Sequence, residues 1–189
     1  MSEPKGKPMR LLTASFGLVA LLLTATPVRA GDAFAYGFTA IEGHKLPLEP
    51  FRGQPLLVVN TASFCGFTRQ YGALQALWEG YRERGLVVLG VPSDDFNQEL
   101  DENGAIKEFC EVNFGIDFPL TERVAVRGPE SHPLFAHIRD ELGQGAGPTW
   151  NFFKYLIAPD GRVVGAWPSR IAPDDPAITA KIEELLPAS

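Results

Sequence analysis

Side chains that hold metals or form disulfides are scarce in this chain. Its 189 residues include two cysteines, Cys65 and Cys110, and three histidines, His44, His132 and His137. None of the five falls at a Cys/His spacing suited to zinc, so no metal centre is expected. No C-x-x-C pair exists, because Thr68 stands where the second cysteine of that motif would be, and this counts against an ordinary disulfide oxidoreductase. Positive charge is also short, with 17 Lys and Arg against 23 Asp and Glu and a formal net charge of −6. An acidic chain is a poor partner for nucleic acid or an anionic membrane surface. After residue 30 there is no internal repeat, no low-complexity segment and no interdomain linker, and the length suits one domain.

The N-terminus has a different character. Lys5, Lys7 and Arg10 precede an apolar run from Leu11 to Leu23, and Pro27 then precedes Val28-Arg29-Ala30. The run falls short of the roughly 20 apolar residues a spanning helix needs. Basic leader, short apolar core and small residues at the cleavage positions together read as a cleaved secretory signal. Residues 1–30 are therefore expected to leave and residues 31–189 to form the mature domain, exported to the periplasm or beyond with no stable membrane anchor. No cysteine lies near the cut, so a lipoprotein is not expected. Lys5, Lys7, Arg10 and Arg29 leave with the single acid Glu3, moving the formal charge from −6 to −9. Both cysteines stay in a compartment that permits disulfides.

Residues 38–48, FTAIEGHKLPL, alternate around Glu42-Gly43 and predict a short hairpin. PLLVVNTA (55–62) does not alternate, which predicts a strand buried on both faces. From 67 to 84 the spacing turns helical, with Tyr71, Leu74, Leu77, Trp78 and Tyr81 on one face and Gly85 as the cap. LVVLGVP (86–92) is a second buried strand, followed by the polar loop SDDFNQELDE. Asn103 is placed to cap a helix carrying Ile106, Phe109, Cys110 and Phe114. DFPLT reads as a short extended stretch, and Ser131 with Pro133 opens a helix through Leu134, Phe135, Ile138 and Leu142. NFFKYLIAPDGRVVGAW forms a hairpin turning at Pro159-Asp160-Gly161. Asp174, Asp175 and Pro176 start a last helix through Ile178, Ile182 and Leu185. This order gives an α/β sandwich whose first β-α-β unit is parallel and right-handed.

Cys65 stands just past the end of the first buried strand, before a helix. Function in parallel α/β sheets gathers beyond strand carboxyl ends, and free N–H groups at a helix start favour a thiolate, the nucleophilic form. A nucleophile open to solvent is one reading; a small core residue is the other. For Cys110, four residues after Ile106, burial on the same helix face and a permanent disulfide to Cys65 both stand as readings of the residues alone.

LLVVNTASFCGFTRQYGALQALWEGYRERGLVVLGVP and GPTWNFFKYLIAPDGRVV resemble the glutathione peroxidase family in its cysteine form. The likeness runs from about residue 34 to the C-terminus, with QE, EFC--N-G--FPL and HPLF in the family's order. It implies a thioredoxin-like fold, a central mixed sheet flanked by helices behind an N-terminal β-hairpin. It also implies a peroxidase that reduces hydrogen peroxide and organic or lipid hydroperoxides without a prosthetic cofactor. By resemblance Cys65 is the peroxidatic cysteine, with Gln98, Trp150 and Asn151 completing the catalytic tetrad. The residue types suit the reaction: an indole N–H and two amides supply neutral donors for charge on the attacking sulfur and the departing oxygen. Cys110, in EFCEVNFG, matches the resolving cysteine of thioredoxin-dependent members. It would attack a Cys65 sulfenic acid to form an intramolecular disulfide, which a thioredoxin-like donor would reduce. Disulfide Cα atoms must approach within about 4.4–6.8 Å, so the reduced fold is expected to hold the cysteines apart until the helix opens locally.

The family pattern is broken in places. Ser93 replaces the cysteine of PCNQFGGQEP, the loop to Gln98 is one residue shorter, and Leu100 replaces a proline. Asp94 and Asp95 add negative charge that, if close, opposes a thiolate. Phe64 stands where many members carry a polar residue and Arg69 where many carry proline; Phe64 fits either an apolar approach for alkyl hydroperoxides or ordinary packing. No set of basic residues maps onto a glutathione site, so thioredoxin-like and glutathione reductants both remain. The long insertion of tetrameric members is missing between HPLFAHIRDEL and TWNF, so a monomer is expected. A redox sensor relaying oxidation from Cys65 would use the same residues, and a thioredoxin-like disulfide oxidoreductase is weakened by the missing C-x-x-C. The proline and threonine spacing of peroxiredoxins is absent.

Overall fold

The computed structural model describes Met1, Ser2 and residues 31–187, so the expected signal segment and its cleavage point at Ala30 lie outside the described residues. The chain begins with the predicted hairpin, β1 (Gly37–Thr39) antiparallel to β2 (Lys45–Pro47). The buried run becomes β3 (Leu56–Thr61), none of whose residues is exposed. It leads through α1 (Gln70–Tyr81) into β4 (Val87–Pro92), which pairs parallel to β3. α2 (Asn103–Phe114) and α3 (Pro133–Leu142) follow. The second predicted hairpin is β5 (Lys154–Ile157) with β6 (Val163–Trp167), and α4 (Pro176–Leu185) closes the chain.

The main sheet runs β4-β3-β5-β6, with β5 antiparallel to β3, and is therefore mixed. Side-chain alternation along β3 builds a core on each face. Leu57 and Val59 join Leu74 and Leu77 of α1, Ile106 of α2, and Ile178 and Ile182 of α4. Leu56 and Val58 face the other way, toward Leu134, Phe135 and Ile138 of α3. These four β3 side chains are fully buried, each worth about 1.5–3 kcal/mol relative to exposure. Both predicted hairpins, both buried strands and all four helices are present. Among the described residues no helix is long and apolar enough to cross a membrane.

Three helix starts differ from expectation, each because a side chain or amide found a partner elsewhere. α1 begins at Gln70 rather than 67, since the preceding residues are folded into hydrogen-bonded turns. The cap before α2 is Glu102, not Asn103, whose Oδ1 accepts the Arg123 N–H across the fold at 2.9 Å. The cap of α3 is His132, whose Nδ1 accepts from Leu134 N, while Ser131 Oγ accepts from Arg139. Asp175 does cap α4, and Gly85, at φ +103, ends the 3-10 turn Arg82–Arg84 that continues α1.

At the far end of the sheet the start of the described chain is tied down. Ala33 N–H donates to Gly161 O at 3.0 Å, and Asp32 pairs with Arg52 at 2.6 Å. Gly161 has φ +91 in the β5–β6 turn, and an added Cβ would collide with the Asp32 carboxylate. A glycine is required there on both counts.

Lys154 is a charged side chain inside this architecture. It has no exposed surface, and its Nζ donates to Ile171 O at 2.6 Å and Ser169 O at 3.3 Å. Burial pushes its pKa down to about 7 from 10.5. The folded state then binds fewer protons than the unfolded chain between these two values, so stability rises with pH across that window. Urea unfolding of wild type and Lys154→Met from pH 6 to 10 should show it. The wild-type advantage is expected to grow above pH 7, with a slope of at most about 1.4 kcal/mol per pH unit; parallel curves would contradict it.

Candidate active site

Past Thr61 the strand β3 ends and the chain turns back on itself around Thr68. Thr68 Oγ1 accepts the Cys65 N–H at 3.0 Å and lies 2.8 Å from Cys65 O and 3.0 Å from Ala62 O, its one proton serving either carbonyl. Cys65 Sγ accepts the Phe67 N–H at 3.4 Å. The amide that faces the sulfur therefore belongs to a turn and not to the start of α1, as the sequence had implied. The expected openness is also corrected: Cys65 is 7% exposed and touches the core, because Thr68 draws the loop inward. Phe64, one residue earlier, is 62% exposed.

A second loop is bolted to this one. Phe64 N donates to Gln98 O at 2.9 Å, and Ser63 N donates to Glu99 Oε1 at 3.0 Å. Asn151 Nδ2 donates to Gln98 Oε1 at 3.1 Å, joining the two amides predicted for the site. Asn151 is fully buried, and its Oδ1 has no partner within the fold. Asp94 and Asp95 do not point freely at the sulfur. Asp94 accepts from Glu99 N, and Asp95 accepts from Val126 N and Arg127 N, so both staple the loop.

Trp150 and Asn151 sit on the turn into β5, which Asn60 holds. From the buried strand β3, Asn60 Nδ2 donates to Trp150 O at 3.1 Å and its Oδ1 accepts from Phe153 N at 2.9 Å. Backbone bonds join Asn60 to Phe152 and Phe153 as well. The Trp150 ring is 40% exposed and tilted against Phe96, 5.2 Å between centroids, with the Arg127 guanidinium 4.6 Å from the Phe96 ring on its part. Among the described residues no hydrogen bond links the indole to Cys65, Gln98 or Asn151. The structure thus bonds the Gln98 and Asn151 side chains to each other and the Gln98 carbonyl to Phe64, the neighbour of Cys65, with Trp150 next to Asn151 on the Asn60-held turn.

Asn97 and Phe152 are the non-glycine residues with positive φ among the described residues, at 55° and 62°. Each adjoins a site amide, Gln98 or Asn151. Backbone strain of about 1–3 kcal/mol is held at such positions only when the surroundings fix it, and here Asn60 and Asp94 do so.

Cys110 lies fully buried on α2, and both cysteines are free thiols, which removes the permanent-disulfide reading. Burial pushes the Cys110 thiol up to about 11, the neighbouring Tyr71 hydroxyl partly opposing the shift. Asn60, Thr68 and Glu99 were not singled out from the sequence. The legible signal was a lone amide in an apolar strand for Asn60 and adjacency to Gln98 for Glu99.

A family model described as glutathione peroxidase matches residues 33–139. The chain belongs to the glutathione peroxidase family. As such it is a thiol peroxidase. The hydroperoxy fatty acid reductase gpx1 of Synechocystis sp. is 44% identical to it over 162 residues, spanning 80% of this chain and 95% of that one. The glutathione peroxidase homolog BsaA of Halalkalibacterium halodurans is 46% identical over 151 residues, 77% of this chain and 94% of the relative. The solved structure of T. cruzi GPX1 superposes with a TM-score of 0.66 at 27% identity, covering 82% of this chain and 95% of that one. The fold is thioredoxin-like, as the resemblance implied.

Asn60 gives this peroxidase site a test. Asn60→Ala leaves Phe153 N and Trp150 O without their side-chain partners, a loss of about 2 kcal/mol. Urea denaturation should show that loss, and peroxide turnover should fall at least about tenfold as the Trp150–Asn151 turn loosens. Wild-type turnover in a folded Asn60→Ala protein would remove the positioning role.

Proposed function

We propose that Cys65 is the peroxidatic nucleophile and Cys110 the resolving cysteine of an exported, monomeric thiol peroxidase served by a thioredoxin-like dithiol. The observation that carries this reading is the hydrogen-bonded line from the Cys65 loop through Gln98 to Asn151. The Cys65 thiolate attacks one oxygen of the hydroperoxide, the O–O bond breaks, and the departing alkoxide takes a proton to leave as an alcohol. Cys65 is left as a sulfenic acid. Phe67 N–H faces the sulfur, and the Gln98 and Asn151 amides with the Trp150 indole supply neutral donors for the charge that moves to oxygen. Cys110 then attacks the sulfenic sulfur, and water leaves. Both sulfurs are buried, so α2 must open locally before an external dithiol reaches the disulfide.

An apolar approach favours alkyl and lipid hydroperoxides. Phe64 lies 6.3 Å, ring to ring, from Phe109 of α2, and Val112 one turn on is 76% exposed. The Synechocystis relative is named for hydroperoxy fatty acids. The basic leader with its apolar core supports export, and the short 143–148 connection, which carries only the 3-10 turn Gln144–Ala146, supports a monomer.

Peroxide consumption by residues 31–189, with thioredoxin and thioredoxin reductase or with glutathione, tests the mechanism. Cys65→Ser is expected to abolish turnover with either donor. Cys110→Ser should lose the thioredoxin-driven cycle while still giving one sulfenic acid per chain, captured by dimedone. Full activity of Cys65→Ser ends the proposal. For the substrate, Phe64→Lys is expected to lower kcat/KM for a fatty acid hydroperoxide about tenfold relative to hydrogen peroxide, the worth of one lost apolar contact. An unchanged ratio makes Phe64 ordinary surface.

A further inference from the structure

Two donors from different parts of the site meet on one buried carbonyl. Ser169 follows the end of β6 by two residues and is 5% exposed. Its carbonyl oxygen accepts from Gln70 Nε2 at 2.7 Å and from Lys154 Nζ at 3.3 Å, which fills both lone pairs. Lys154 Nζ also donates to Ile171 O at 2.6 Å, and Ile171 N closes this loop back onto Pro168 O at 3.0 Å. Gln70 is the first residue of α1, directly after the turn that holds Cys65. Lys154 is the first residue of β5, three residues after Asn151 and four after Trp150.

We propose that Lys154 and Gln70 are positioning residues of the peroxidase site, and that the Ser169 carbonyl they share sets the Cys65 turn in place against the Trp150–Asn151 turn. The inference rests on the reading of Cys65 as the peroxidatic nucleophile and of Asn151 and Trp150 as its donors. From Cys65 to Gln70 the backbone is a run of tight turns. Thr68 N donates to Cys65 O at 3.0 Å, Gln70 N to Phe67 O at 2.8 Å and Tyr71 N to Thr68 O at 3.0 Å, so holding Gln70 holds the sulfur. Between Asn151 and Lys154, the Phe152 and Phe153 N–H groups are both bonded to Asn60, so holding Lys154 holds the donor turn. Lys154 is itself paired with Val59 of β3 and Trp167 of β6, on the sheet face that Val59 and Leu156 share with α1 and α4.

The choice of residue supports a task beyond packing. Among the described residues no carboxylate balances the Lys154 charge, and a buried ammonium without one is costly, so an apolar side chain of similar length would suit the core better. What such a side chain lacks is a pair of charge-assisted bonds, which are about twice as strong as neutral ones and fixed in direction. The other ties of the Cys65 segment run from Ser63 and Phe64 to the Gln98–Glu99 loop, ahead of the sulfur. Gln70 lies behind it, and the clamp secures that second side. A shift of about 1 Å between nucleophile and donors can cost about a hundredfold in rate. None of these contacts involves α2, so its opening leaves the clamp intact.

The test compares two reactions of one sulfur. Reduced protein is mixed with hydrogen peroxide or with iodoacetamide, and loss of the Cys65 thiol is followed by rapid quench and peptide mass spectrometry. Alkylation needs only the thiolate, whereas peroxide cleavage also needs the donors aligned with it. Lys154→Met and Gln70→Leu are each expected to slow the peroxide reaction at least about tenfold and to leave alkylation within about twofold of wild type. Because both act through the Ser169 carbonyl, the double variant should be slowed by less than the product of the two single effects. Circular dichroism at the assay temperature checks that each variant is folded, and Gln70→Leu, at the half-exposed start of a helix, carries the test alone should Lys154→Met not fold. A wild-type peroxide rate in either folded variant overturns the proposal, as does an equal fall in both rates or a double variant slowed by the full product. In each of these cases Cys65 remains the nucleophile. A wild-type protein whose Cys65 is not oxidised by peroxide overturns this inference and the proposed mechanism together.

Discussion

Where β3 ends at Thr61 the sheet stops supplying acceptors, yet Ala62, Ser63, Cys65 and Thr68 stay buried, and buried N–H groups of the next segment must find partners. Side chains and a neighbouring loop provide them: Glu99 for Ser63, the Gln98 carbonyl for Phe64, Thr68 for Cys65, and the Cys65 sulfur itself for Phe67. The site is a consequence of that accounting. The sulfur is fixed because its own backbone is fixed, and the Gln98 loop is fixed because it answers two of the orphaned amides. Remove those acceptors and the Cys65 segment loses the hydrogen bonds that hold it in one conformation.

Legibility in the sequence followed the range of the interaction. Strands β3 and β4 stood out because burial on both faces leaves an unbroken apolar run, and α1 through α4 because their apolar spacing is local. The helix starts were less readable, since Asn103 and His132 answer to partners far along the chain or to ring nitrogens. Cys65, Gln98 and Asn151 were placed by family resemblance; the two amides are hydrogen-bonded to each other, and the Gln98 carbonyl holds the residue before Cys65. The depth of Cys65 was misjudged because a threonine three residues on pulls it inward, and Asn60 and Glu99 went unnoticed because each works through backbone atoms distant in sequence. Lys154 read as one more strand residue, its lack of a carboxylate partner among the described residues being visible only in three dimensions.

The Gln98 and Asn151 amides are flanked by fixed backbone. Phe152 and Asn97 keep left-handed backbone beside the two amides, a geometry that water would relax. Donors fixed before charge develops need no reorganisation during O–O cleavage. Cys110 is buried on α2, a helix whose exposed face carries Val112, and its thiol lies beside the Tyr71 hydroxyl.

The tie between Ala33 and Gly161 has a topological corollary. Gly161 lies beyond the end of β5 that pairs with the beginning of β3, whereas Cys65 lies beyond the end of β3. Ala33 and Gly161 therefore mark the pole of the sheet opposite the sulfur, so the contacts that tie down residues 32–34 and those that fix Cys65 act at opposite ends of β3.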